Sequence, residues 1–340
     1  RKSHVMPMLH TDAVLHQEAT VGAMAAQPPA PIPACEHFAG DEKKLRKALE
    51  LQDRLNGTFD VTADLEDGAS SGAEEDNAKR LASILAEPRK TQWRVGCRVH
   101  PVDHPAFRND VETLLAARPA GLAFITVPKI AHLAQFHEAV ATINDAARAD
   151  RVDSPIPLQI MFEDERGLQD VAAIAAHPQV EFLSFGQMDF TSSHRGAIPA
   201  KAMQSPGQFD HPLLRRAKVE ISAACHAHGK IPTHNPTTDY ASDHQAFDDA
   251  SRARLEFGFL RMWSIHPNQI QQILRAFAPT EQEIADASRI LLAAQESAWG
   301  PIADQGLLHD RASYRYFWTI LKRAQQAGRP IPPAAQHAFF

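Results

Sequence analysis

Residues 158–190 read LQIMFEDERGLQDVAAIAAHPQVEFLSFGQMDF, and this stretch decides the fold. Residues 157–162 (PLQIMF) are a short apolar run, as expected of a strand buried on both faces. Glu163 stands where that strand ends. Residues 168–176 (LQDVAAIAA) have helical propensity and apolar spacing, and His177-Pro178 stops them. Residues 180–185 (VEFLSF) read as a second strand, followed by Gly186 and then Asp189. Parallel neighbours joined by a helix place both strand ends on one rim. Two carboxylates, Glu163 and Asp189, therefore meet at one mouth. Hard divalent cations favour such a pair, because Mg²⁺ takes one or two carboxylates and leaves its other positions to water and substrate oxygens. The alternative is two solvated acids in ordinary loops.

The same alternation extends outward. Strands are expected at 32–36, 59–65, 93–99, 123–127, 230–233 and 259–265. Helices are expected at 41–55, 74–86, 110–117, 132–149, 213–228 and 243–256. Eight strand–helix units are the period of an α/β (β/α)₈ TIM barrel. A doubly wound open sheet is the other arrangement, but no GxGxxG turn for a dinucleotide is present. Two further amphipathic helices, 280–296 and 311–327, lie beyond the eighth unit. The expected organisation is a flexible N-terminal arm over 1–30, a barrel catalytic domain over 31–278 and a C-terminal helical extension over 279–340. The arm is polar and alanine-rich, with no basic stretch followed by an apolar one, so it does not read as a signal peptide. Residues 28–33 read as a stiff proline-rich linker.

With 340 residues and 44% hydrophobic content the chain can bury a large core. A formal charge of −6 gives no electrostatic case for nucleic acid or an anionic membrane. No apolar run approaches the roughly 20 residues a membrane helix needs. Three cysteines without metal-ligand spacing or disulfide density point to a reduced, cytoplasmic setting.

Barrel enzymes place their chemistry at the C-terminal strand ends. Here those ends carry Asp64-Leu65-Glu66-Asp67, Arg98-Val99-His100, Pro128-Lys129, Glu163, Asp189, His234-Asn235 and His266-Pro267. Several of these stretches resemble motifs of the HpcH/HpaI aldolase and citrate lyase family, which includes citrate lyase beta subunits and malyl-CoA lyases. FEDERG resembles its IETARG, FGQMDF its FGxxDL, DLEDGAS its DLEDAV, RVH its RVN and VPK its PK. GFLRMWSIHPNQI resembles its GFxGKxxIHPxQI, and FAPTEQEI its FxPxxxEI. The matches run in order from about residue 59 to residue 284. Departures are Asp164 for Thr, Phe190 for Leu, His100 for Asn and Arg261-Met262 for Gly-Lys. CEHFAGDEKK only loosely resembles the family's FVPG stretch on the coenzyme A side.

The resemblance implies a Mg²⁺-dependent carbon–carbon lyase, working by retro-aldol or retro-Claisen cleavage or the reverse condensation. Its substrate would be a 3-hydroxyacyl-CoA such as citryl- or malyl-CoA, or a related hydroxy keto acid. Glu163 and Asp189 would hold the metal. Arg98 would hold the keto-acid or enolate oxygen, where a guanidinium stabilises developing charge and orients a carboxylate; the other reading of Arg98 is a structural ion pair with Asp64, Glu66 or Asp67. Glu66 and Asp67 would order metal-bound water or Arg98. Lys129 could bind substrate, serve as a Schiff-base lysine or pair with a rim acid. Lys43, Lys44 and Lys47 would lie near coenzyme A phosphates, or form a solvated helix face. Asp310 would reach a neighbouring subunit's site as acid/base, or cap the helix at Arg311. His234 could act in acid/base chemistry, while His266 and Cys97 read as structural. Members of the family form homotrimers or homohexamers. A malate synthase- or thioesterase-like activity, or a non-catalytic binding barrel, are the competing functions.

Overall fold

The structure is a computed structural model that describes residues 7–16, 32–152 and 155–340. These fall into two compact units, Pro33–Phe277 and a smaller one built on Ala278–Phe340. In the larger unit eight parallel strands close into a barrel in chain order. They are β1 Cys35–Ala39, β2 Asp60–Asp64, β3 Val95–Arg98, β4 Leu122–Val127, β5 Leu158–Phe162, β6 Val180–Phe185, β7 Ile231–His234 and β8 Arg261–Ser264. β8 closes on β1 through the pairs from Cys35–Met262 to His37–Ser264. Helices follow the strands, and their apolar faces meet the outer faces of the strands in one continuous core, with Ile125, Ile160, Leu183, Ile143 and Ile221 all buried. This is the TIM barrel expected from the alternation.

The barrel interior is filled by side chains in layers. Phe124 and Phe182 meet edge to face at 5.3 Å, and the Arg261 guanidinium lies 4.2 Å above Phe182. Gly96 makes room for this layer, since a Cβ there would come within 2.2 Å of Phe124. Above it Glu36 accepts from Thr62 Oγ1 at 2.7 Å and Gln159 Nε2 at 2.9 Å. Phe38, Met161 and Trp263 form the uppermost apolar cluster, beneath the rim.

Local differences from expectation have physical causes. β1 starts at Cys35 rather than 32, because Pro33 has no amide to donate and its carbonyl is taken by Arg261. The helix expected over 168–176 begins earlier and in two pieces, Glu165–Gln169 and Val171–Ala175. Asp164 caps the first piece, accepting from the Gly167 amide at 2.8 Å. A short helix, Gln187–Ser192, follows β6 directly and carries Asp189.

The smaller unit contains the expected helices, at Glu281–Glu296 and Arg311–Gln326, with a hairpin Ile302–Asp304/Leu307–His309 between them. Tyr314 and Trp318 are fully buried within it. Most of the arm expected over 1–30 lies outside the described residues. Pro7–His16, however, is helical and belongs to this unit, with Asp12 accepting from Trp318 Nε1 and from Lys322 at 2.9 Å. Among the described residues no helix is long and apolar enough to cross a membrane.

Candidate active site

The C-terminal mouth of the barrel opens on a cavity of about 350 Å³. Arg98, Asp67, Glu163 and Asp189 all line it, with Phe38, Trp263 and Asn235. Arg98 closes β3 and is 5% exposed. Its Nε and Nη2 donate to Asp64 Oδ1 at 2.8 Å and Oδ2 at 2.6 Å, a bidentate pair across β2 and β3. Asp64 is held in turn by the amides of Glu66 and Gly68 at 3.0 and 2.8 Å. Phe38 and Trp263 flank the guanidinium at 4.9 and 5.6 Å. Burial works against its charge, but Asp64 and then Glu66 outweigh burial and hold it protonated above its ordinary value. The ion pair with Asp64 read as an alternative for Arg98 is therefore present, and it takes the fork expected to orient a carboxylate. The remaining nitrogen, Nη1, donates to Met161 Sδ at 3.7 Å and lies 3.5 Å from Glu66 Oε1.

Lys129 organises the acids opposite. It sits at φ 53°, a left-handed conformation that costs a non-glycine residue energy, and there its amide donates to Glu163 Oε2 at 2.5 Å. Its ammonium bonds Glu66 Oε2 and Asp67 Oδ2, the latter at 2.9 Å, and stands 3.9 Å from Asp189. Partial burial opposes its charge, yet Glu66 and Glu163 raise it above the usual lysine value. An ammonium so held is a poor Schiff-base nucleophile, which needs the neutral amine. The rim-acid pairing describes this lysine.

Glu163 is 4% exposed, and burial pushes its pKa up to about 8, with Lys129 and Arg98 opposing. Asp189 is more open, its side chain 45% exposed. The neighbouring acids are used elsewhere. Asp164 caps its helix, and Glu165 bonds His194 at 2.9 Å and Arg216. Burial raises Glu66, while Asp67 is held below its ordinary value because Lys129 outweighs its burial.

The donor set fits a hard divalent cation. Five carboxylates, Asp64, Glu66, Asp67, Glu163 and Asp189, face two cationic side chains, Arg98 and Lys129. The buried Glu163 ionises at a cost that a cation would offset. Glu163 and Asp189 could hold it, and Gly186 keeps their space open: a Cβ there would lie 2.4 Å from Glu163 Cγ and 2.6 Å from Oε1. Gly186→Ala is therefore expected to displace Glu163 and weaken Mg²⁺ binding by at least about 10-fold. Titration of the metal-free protein measures this, and an unchanged affinity in a folded variant would remove Glu163 from the metal.

Other expected residues fall differently. Lys43 and Lys47 are exposed on the helix Glu42–Arg54 and do not line the cavity; Lys44 does. Asp310 belongs to the smaller unit and caps Arg311–Gln326, accepting from the Ala312 amide at 2.9 Å. His234 is fully buried and held far below its usual pKa by burial and then by Lys218. His266 caps the next helix, accepting from the Asn268 amide at 3.2 Å. His100 bonds Asp110 at 2.5 Å rather than entering the cavity. Cys97 is a buried core residue. Sequence reasoning missed Phe38 and Trp263; inward phase on β1 and β8 was the available signal.

Residues 56–258 match the model of the HpcH/HpaI aldolase/citrate lyase family. A crystal structure described as a citrate lyase from Burkholderia xenovorans LB400 is 51% identical, covers 91% of this chain and 97% of that one, and superposes with a TM-score of 0.84. The L-malyl-CoA/beta-methylmalyl-CoA lyase of Cereibacter sphaeroides is 28% identical over 88% of this chain and 96% of its own. A Mycobacterium tuberculosis CitE structure, in complex with magnesium, acetoacetate and coenzyme A, shares the fold at 22% identity and TM-score 0.68, covering 87% of this chain and 99% of that one.

Proposed function

Because this chain belongs to the HpcH/HpaI aldolase/citrate lyase family, we propose that it is a Mg²⁺-dependent carbon–carbon lyase acting on a 3-hydroxyacyl-CoA of the malyl or citryl type, or on a related hydroxy keto acid. One observation carries the reading: Glu163, just after β5, and Asp189, on the short helix after β6, share a cavity with an arginine pinned by Asp64. Held by Glu163 and Asp189, Mg²⁺ would supply Lewis-acid chemistry for the charge that develops on cleavage. The chain's own residues do the rest. Arg98 Nη1, which has only the weak acceptor Met161 Sδ and the more distant Glu66 as partners, holds the oxygen that gains negative charge, and Asp64 keeps the guanidinium from turning away. Phe38 and Trp263 shield that charge from water, which strengthens the interaction. Glu66, raised by burial and bonded to Lys129, can hold or release a proton beside Arg98. Lys129 sets the spacing of Glu66, Asp67 and Glu163. Asp310, a helix cap in this chain, is retained as an acid/base candidate for a neighbouring subunit in a homotrimer or homohexamer. Three buried, unpaired cysteines suit a reducing, cytoplasmic setting.

The test is calorimetric titration of metal-free protein with Mg²⁺ and pyruvate or oxaloacetate, with and without acetyl-CoA. Glu163→Ala should lower metal-dependent keto-acid affinity by about 10²-fold. Enhancement by acetyl-CoA supports the coenzyme A substrate, and its absence a free keto-acid substrate. No metal-dependent binding of either keto acid would count against the lyase.

The same titration has a pH signature. Glu163 sits at about 8 in the fold, above its ordinary 4.5. Its neutral form is thus the one the fold favours; that contribution is complete below pH 4.5 and is lost as the pH rises through about 8. A cation requires the carboxylate, so Mg²⁺ uptake below pH 8 should release close to one proton. Affinity should rise toward pH 8 and then level. Titration at pH 7 in two buffers of different ionisation enthalpy counts the proton, and zero release would show that Glu163 is either already ionised in the metal-free protein or not a ligand.

A further inference from the structure

Asn235 follows β7, lines the cavity and is 3% exposed. Its neighbours fix which way its carboxamide faces. Nδ2 donates to Gln208 Oε1 at 3.0 Å and to the Pro236 carbonyl at 3.4 Å. Gln208 is fixed in turn: its Nε2 donates to Ser205 Oγ at 2.9 Å and Asp249 Oδ2 at 3.4 Å, and its Oε1 also accepts from Lys218 at 3.0 Å. Lys218 is wholly buried, and its Nζ meets three acceptors: Gln208 Oε1, His234 Nε2 at 2.9 Å and the face of Phe209 at 3.9 Å. His234 Nδ1 donates to the Asn235 carbonyl at 2.8 Å, which leaves Nε2 free to accept from Lys218. Turning the Gln208 amide over would face N–H groups against Lys218 and Asn235. Turning Asn235 over would set two acceptor oxygens together. The atom left without a hydrogen-bond partner among the described residues is therefore Asn235 Oδ1. A buried acceptor in that state is uncommon in folded proteins and costly unless something satisfies it. Trp263 lines the same cavity, and its Nε1, a buried donor, is also without a partner among the described residues.

We propose that Asn235 is a specificity-determining residue whose Oδ1 accepts a hydrogen bond from an N–H or O–H group of the acyl ligand, while Trp263 Nε1 donates to an oxygen of the same ligand. Two parts of a hydroxyacyl thioester carry such a donor beside an acceptor: the hydroxyl next to a carboxyl or carbonyl group, and an amide of the pantetheine arm. The orphaned acceptor stands on geometry; the choice of ligand rests on the lyase reading above. Gln208, Lys218 and His234 act through Asn235 as positioning residues.

The test uses the full chain with Mg²⁺, comparing wild type with Asn235→Ala and Asn235→Ser by calorimetry. The probes are malate, which has the hydroxyl, succinate, which lacks it, and acetyl-CoA, which has amide N–H groups and no hydroxyl. Asn235→Ala should weaken malate or acetyl-CoA binding by about 5- to 10-fold while leaving succinate unchanged. A loss confined to malate assigns the hydroxyl, and a loss confined to acetyl-CoA assigns the amide. Equal affinities of wild type and a folded variant for all three probes overturn the inference, as does failure of wild type to bind any of them. If alanine does not fold, the serine variant, which removes the same Oδ1, gives the same comparison. Mg²⁺-dependent pyruvate binding is run in parallel. Its absence from wild type overturns the lyase reading, whereas its presence beside unchanged malate and acetyl-CoA binding overturns only the role of Asn235.

Discussion

Replacing Arg98 with alanine is expected to lower carbon–carbon bond cleavage of the acyl-CoA substrate by about 10³-fold, and replacing it with lysine by about 10²-fold. The difference between the two follows from the geometry. In the proposed mechanism Arg98 does two things at once: Nε and Nη2 satisfy Asp64, while Nη1, whose partners are Met161 Sδ at 3.7 Å and Glu66 Oε1 at 3.5 Å, turns to a ligand oxygen. A lysine ammonium supplies one point charge and can neutralise Asp64, but it cannot hold that carboxylate on two atoms and still present a fixed donor to the cavity. Alanine additionally leaves Asp64 buried with only the Glu66 and Gly68 amides as partners, so its melting temperature should fall further than that of the lysine variant. Steady-state kinetics separate the chemical role from the structural one. If Arg98 stabilises developing charge, kcat falls in the lysine variant even where the protein stays folded and keto-acid binding is only modestly weakened. A lysine variant with unchanged kcat/KM would reduce Arg98 to a structural partner of Asp64.

Much of this site was legible in sequence because strand ends are legible. Apolar runs locate the strands, and the polar residue that ends each run must lie on the rim. That logic found Arg98, Glu66, Asp67, Lys129, Glu163 and Asp189 without any knowledge of distance. It could not show that Asp64 occupies the fork of Arg98, since the pair joins β2 to β3 through a register set by the closed barrel, Asp64 opposite Arg98. It could not separate the lysines: Lys43, Lys44 and Lys47 share a charged helix that the resemblance places near coenzyme A phosphates, and of the three Lys44 lines the cavity. Gly186 stood in the sequence only as the residue after a strand, whereas its use is steric, leaving room for Glu163. The orientation of Asn235 depends on Gln208, Lys218 and Asp249, which lie in other helices and connections. Such a constellation has no spacing signature.

Arg261 is the second position where a large effect is expected, this time on stability. In the family motif that this stretch resembles, the place is held by glycine, so a fully buried arginine there needs partners. It has them: Nη1 donates to Asp60 Oδ2 at 2.7 Å and to the Pro33 carbonyl at 3.0 Å, and Nη2 lies 3.5 Å from Glu36 Oε2. The Phe182 face lies 4.2 Å below. Burial opposes the charge, and Asp60 and Glu36 together hold it. Arg261→Met keeps much of the volume but removes the cation from two carboxylates that are themselves fully buried. The expected cost is about 3–5 kcal/mol, the range for breaking a buried pair from one side. Arg94 still bonds Asp60 at 3.0 Å, so Glu36 bears most of the loss. Burial already raises the Glu36 pKa above its ordinary 4.5, and loss of Arg261 raises it further. A group so raised favours folding in its neutral form, so the deficit of the variant should shrink as the pH falls toward 4.5 and grow as it rises. Adding Glu36→Gln, which removes the unpaired charge, should recover part of the loss. Denaturant unfolding of the single and double variants at pH 5 and 8 checks both statements, and a pH-independent deficit would show that packing against Phe182, not charge, is what Arg261 contributes.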